Sequence, residues 1–132
     1  MLSFLEKTGF VYVFENSKTN RVKVGMTSVS IESRLKPLNR EFGDTTYLNE
    51  DKNLPLSFWK FKIAYITKYY ADVEALSHKY LKEYLDENSP IGEIFSCSIL
   101  DAEEAIVMAL KDLNLFDEAN RISGWEEYLQ KK

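Results

Sequence analysis

Two stretches, FVYVFE from Phe10 and RVKVGM from Arg21, alternate apolar side chains with polar or aromatic ones, the period of a half-buried strand. The NSKTN between them has the composition of a tight connection, so together they predict an antiparallel hairpin. From Ser30 the period changes. Ile31, Leu35, Leu38 and Phe42 recur at helical spacing, with Ser30 placed to cap the start and Gly43 to stop the helix. Residues 44–57 mix polar and turn-forming residues without a period, which predicts a surface loop, and FWKFKIAYIT after them predicts a third strand.

A second helix is expected from Asp72, its cap, to Leu85, with NSP as the breaker. EIFSCSIL, from Glu93, is short and strand-like. DAEEAIVMALKDL opens with Asp101 three residues before Glu104, the layout of a capping box, and predicts a third helix. In the tail, Phe116, Ala119, Ile122, Trp125 and Tyr128 fall at helix-like intervals. The order β-β-α-β-α-β-α predicts an α+β domain with a small antiparallel sheet of three to four strands flanked by helices. It is expected to span residues 1–115, with a helical tail over 116–132 packed on or extending from the same domain.

Composition narrows the class. With 132 residues, 45% of them hydrophobic, and eight Tyr and eight Phe, the chain can bury the core of one ordered domain. No apolar run approaches the ~20 residues that span a bilayer, and MLSFLEKTG lacks the features of a signal peptide. The expectation is a cytoplasmic protein without a membrane partner. Cys97, alone, excludes an internal disulfide and a Cys-rich zinc site. The net charge of −4 argues at first against nucleic acid, but residues 1–40 hold seven Lys or Arg against three Glu. A basic face on an acidic body is compatible with these numbers.

Strand geometry singles out Tyr12 and Lys23. If the valines on either side of each face the core, the phenol and the ammonium share the opposite face, where the cation would favour the phenolate and allow Tyr12 to take a proton. On spacing alone, an ordinary exposed Tyr and Lys on a solvated face is the commoner reading. Arg34 flanks the apolar stripe of the first helix, where it either clamps a phosphate or lays its stem over the core. Glu74 and His78 lie four residues apart on one helix face. A single Glu there suits a hard cation that borrows its other ligands from a phosphate, whereas zinc would need more protein ligands. The alternative for His78 is a structural hydrogen bond into the core. The chain has no Gly-rich phosphate loop, H-E-x-x-H or Gly-x-Ser-x-Gly motif.

Tyr12, Lys23-Val24-Gly25, Arg34 and Glu74, in this order on a hairpin, a helix and a later helix, resemble the GIY-YIG nuclease superfamily. VYV stands where that family has GIY, and KVG where it has YIG. KVGMT followed by SIESRLKPLN is most similar to the phage T5 open-reading-frame branch, related to the Mug113 type, in which Lys replaces the second tyrosine and EALSH follows on the later helix. The resemblance covers roughly Gly9 to Ile106. It implies a divalent-metal-dependent endonuclease, phage or mobile-element associated, that hydrolyses DNA phosphodiester bonds with Mg²⁺ or Mn²⁺. By that resemblance Tyr12 deprotonates or orients the attacking water, Lys23 supports it, and Arg34 stabilises the phosphoryl oxygens. Glu74 holds the metal, His78 assists nearby, and Gly25, Thr27 and Arg40 contact substrate. Lys23 departs from the two-tyrosine pattern, and the C-terminal Asn of many members has no clear counterpart. GEIFSCS stands in that region instead, with Glu93 and Phe95 fitting an acidic-aromatic pattern of the branch. The competing reading is a nucleic-acid-binding or regulatory module on the same fold. A monomer and a homodimer are both open.

Overall fold

The computed structural model describes residues 7–42, 59–89 and 92–131. Strands β1 (Thr8–Asn16) and β2 (Arg21–Thr27) form the expected hairpin. Asn16 Oδ1 accepts the backbone N–H groups of Lys18 and Thr19 at 3.0 and 3.1 Å, and Asn20 takes a left-handed φ of 58°. Two Asn residues thus close the turn by local bonding and by tolerance of that conformation. Helix α1 (Glu32–Phe42) follows, and Ser30 Oγ accepts the Ser33 N–H at 3.1 Å, as the sequence predicts of a cap. The expected stop at Gly43 and loop over 44–57 lie outside the described residues.

Strand β3 (Trp59–Lys68), helix α2 (Tyr70–Tyr80), strand β4 (Ile94–Phe95), helix α3 (Ile99–Asp112), strand β5 (Asn120–Ser123) and helix α4 (Gly124–Lys131) follow among the described residues, with short 3₁₀ turns at Lys82–Tyr84 and Phe116–Glu118. The five strands are all antiparallel to their neighbours, in the order β4-β2-β1-β3-β5.

The architecture is α+β as expected, with four corrections. Among the described residues the sheet has five strands, because the tail contributes β5 before its helix. Helix α2 opens at Tyr70 behind a left-handed Tyr69 that makes no side-chain cap, so Asp72 sits in the first turn instead of capping it. The capping box of α3 is one turn earlier than predicted: Ser98 Oγ accepts the Asp101 N–H at 3.0 Å, and Asp101 itself is the third helical residue. The strand expected from Glu93 shortens to two residues.

A bulge sets the sheet's two faces. Phe14 pairs with Phe61 and Val13 with Ile63, so Lys62 is the extra residue and reverses the alternation along β3. Val11, Val13, Val22, Val24, Ile63 and Tyr65 therefore pack beneath α2 and α3. Tyr12, Phe14, Trp59, Phe61 and Ala64 face the other way, onto Ile31 just before α1, Leu38 of α1 and Tyr128 of α4. Arg121 of β5 forks onto Glu103 of α3, which also accepts the Tyr65 hydroxyl at 2.6 Å. The late strand is thereby tied to both the sheet and a helix.

Candidate active site

In the hairpin register Tyr12 lies opposite Gly25, and Lys23 opposite Phe14, so Tyr12 and Lys23 are diagonal neighbours on one face. Both are buried, Lys23 to 9% exposure and Tyr12 to 1%. Their polar ends meet: Lys23 Nζ donates to the Tyr12 hydroxyl oxygen at 3.0 Å. Gly25 makes the meeting possible. A Cβ there would stand 2.4 Å from the Tyr12 oxygen and 2.8 Å from Lys23 Nζ, so the space vacated by the missing side chain is filled by these two groups.

Lys23 has a second partner. Glu93, just before β4, accepts from Nζ at 2.7 Å through Oε1, while its backbone carbonyl accepts the Val24 N–H at 3.1 Å. Burial works against the ammonium, but attraction from Tyr12 and Glu93 outweighs it and holds the Lys23 pKa above the ordinary lysine value. Burial pushes the Tyr12 phenol up, and the pull of Lys23 in the opposite direction does not cancel it. The cation does favour the phenolate, as expected of the pair, but burial outweighs it and leaves the Tyr12 pKa above the ordinary tyrosine value.

Helix α2 crosses β2 beside this pair. His78 Nε2 lies 2.7 Å from the Val24 carbonyl oxygen, and its ring tilts against Phe95 at 5.2 Å. A carbonyl only accepts, so the bond itself assigns the proton to Nε2. His78 thus braces α2 against β2 one residue from Gly25, a backbone contact of the kind expected of a structural histidine. One turn earlier, Glu74 is half-buried. Burial first, and the charge of Glu93 second, push its carboxyl from 4.5 up to about 7, although Lys23 and Arg34 pull the other way. Arg34, exposed near the start of α1, is close enough for its charge to reach both Glu74 and Tyr12.

Thr27 and Arg40 are the two further residues expected near substrate. Thr27 is buried, and its Oγ1 accepts the Val29 N–H at 3.1 Å, holding the turn from β2 into α1. Arg40 is exposed six residues beyond Arg34 on α1, a spacing that puts the two on different sides of the helix. Sequence reasoning noted Glu93 only as part of a pattern and missed it as the partner of Lys23. The available signal was its position in a strand able to pair beside β2.

Because β4 pairs with β2 only at Val22 and Lys23, no strand flanks the outer edge of β2 from Gly25 to Thr27 among the described residues. Tyr12, Lys23, Glu93, Glu74 and Arg34 gather at this part of the molecule. A family model, the T5orf172 domain, matches residues 9–110. The chain belongs to the T5orf172 domain family. Comparison with curated proteins gives no match, and neither does comparison with solved structures. The T5orf172 domain, a phage-associated family, runs from β1 into the last turn of α3 and contains all the site residues above. Strand β5 and helix α4 lie beyond the matched segment.

Proposed function

We propose that this T5orf172 domain is a divalent-metal-dependent DNA endonuclease of the GIY-YIG type. The observation that carries the reading is Glu74: a half-buried carboxylate set beside a second carboxylate, with an arginine and a buried Lys–Tyr pair in electrostatic reach. Such a carboxylate is costly to ionise alone, and a bound cation relieves that cost. No cluster of three His, Cys, Asp or Glu side chains able to hold a metal occurs among the described residues. A hard ion such as Mg²⁺ or Mn²⁺, coordinated mainly by water and phosphate oxygens, fits a one-carboxylate site.

When bound, the cation supplies Lewis-acid stabilisation of the charge that develops on the phosphate. The chain's own groups do the rest. The Tyr12 oxygen accepts from Lys23, which leaves its proton free to orient a water or a phosphoryl oxygen. The ammonium at 3.0 Å offsets negative charge on the phenol oxygen if that proton is given up. Arg34 offers its fork of donors to the phosphoryl oxygens, and phosphoryl transfer depends mainly on this kind of positioning and neutralisation. His78 keeps α2, and with it Glu74, in place against β2.

The near-complete burial of Tyr12 favours one alternative, a domain that binds nucleic acid without cutting it. Nicking of supercoiled plasmid by the purified protein with Mg²⁺, Mn²⁺ or EDTA, beside Glu74→Ala, separates the two. The nuclease predicts metal-dependent nicking that falls by about 100-fold or more in the variant. Metal-dependent nicking that survives Glu74→Ala removes Glu74 from the mechanism, and DNA binding without any cleavage selects the alternative.

A further inference from the structure

Helix α4 lies outside the family match, yet it reaches the helix that carries Arg34. Tyr128 is completely buried, with its ring 5.5 Å from that of Phe10, 6.0 Å from Phe61 and 5.6 Å from Trp125. For packing alone a phenylalanine would serve. The hydroxyl has a separate task, because it accepts the Ile31 N–H at 3.1 Å and donates to Glu32 Oε1 at 2.6 Å. A phenol oxygen carries one proton and accepts through its lone pairs, so these two bonds fix its direction.

The partners flank the start of α1: Ile31 is the residue before it and Glu32 its first residue. A helix leaves its first N–H groups without partners inside the helix. Ser30 takes up the Ser33 N–H, and Tyr128 takes up that of Ile31. Further along, the Asn39 side chain exchanges two hydrogen bonds with the Trp59 backbone, at 3.0 and 3.1 Å. Hydrogen bonds therefore hold the helix both near its start and further along, and the hold near Arg34 is that of Tyr128. Side chains on a helix lean toward its N-terminus, so the Arg34 guanidinium is carried toward the turn that Tyr128 holds.

We propose that Tyr128 is a positioning residue: by holding Ile31 and Glu32 it fixes the first turn of α1 and so aims Arg34 at the phosphate. The role of Arg34 rests on the nuclease reading; the grip on α1 does not. The test is Tyr128→Phe, which keeps the ring and removes both hydrogen bonds. Amide hydrogen exchange should quicken at least ~10-fold at Ile31 while the β1–β3 amides keep their protection. In plasmid nicking, kcat should fall ~10-fold with KM unchanged, and that loss should disappear when Tyr128→Phe is placed in an Arg34→Ala background.

Unchanged exchange at Ile31 overturns the proposal whatever the protein does to DNA. A loss of the same size in both backgrounds also overturns it, because Tyr128 would then act on general stability and not through Arg34. If the wild-type protein binds DNA without cutting it, the nuclease reading fails on its own. The same pair of backgrounds is then compared by duplex affinity, where non-additive losses support the positioning role and additive losses overturn it.

Discussion

Glu74 is a carboxylate that the fold makes hard to ionise, and this has a consequence for pH. Its pKa is near the ordinary 4.5 in the unfolded chain and about 7 in the fold. A raised folded pKa contributes stability that is fully present below the unfolded value and lost as pH rises through the folded one. The metal-free protein should therefore lose thermal stability between about pH 5 and pH 8, and Glu74→Gln should flatten that slope. Melts in EDTA across this range check it, and parallel slopes for the two proteins would sink the assignment. On the proposed metal site, Mg²⁺ should raise the melting temperature more at pH 8 than at pH 5, since a cation held by Glu74 would bind its ionised form. Gly25 yields a second expectation. Gly25→Ala drives a methyl group into the Tyr12 and Lys23 end groups, so denaturant unfolding should show a loss of about 1–3 kcal/mol. Nicking should fall with it, although glycine supplies no reacting group. Tyr12, Lys23, Arg34 and Glu74 were legible in the sequence as an ordered set. That Lys23 is shared with Glu93 was not, because the contact joins residues 70 positions apart through the register of a two-residue strand.

Among the elements, the hairpin and the three longer helices could be read from the chain because each shows several repeats of its period. Strand β5 could not. Of its four residues only Ile122 is buried, so it offers a single point of an alternation that needs at least two. That residue also falls at a helical interval from Trp125, which is how the segment came to resemble one continuous helix. The cap of α3 was misplaced for a different reason: Ser98 to Asp101 and Asp101 to Glu104 have the same three-residue spacing, and only the observed start at Ile99 selects between them. Ser98→Ala should accordingly cost about 1 kcal/mol, whereas Glu104→Ala, on an exposed position, should stay within about 0.5 kcal/mol. Urea denaturation of the two variants decides, and the reverse order would return the cap to Asp101.

At the scale of the whole molecule, the unit that folds is larger than the segment the family shares. Ile122 and Tyr128 are completely buried in the same core cluster as Tyr12, Phe14 and Phe61, and β5 covers the outer edge of β3. A chain cut after Leu115 keeps the entire matched segment, yet it should uncover that aromatic core and leave β3 as a bare edge. Loss of a cooperative melting transition, followed by calorimetry, is the expected result; a sharp transition near that of the full chain would show that the last two elements are dispensable. One consequence of the Tyr128 contact concerns time. Tyr128 lies 97 residues after Ile31, and the ribosome makes the chain from its N-terminus. The first turn of α1 waits for a residue synthesised long after it, so on the proposed nuclease reading a nascent chain holds every site residue before Arg34 is fully positioned.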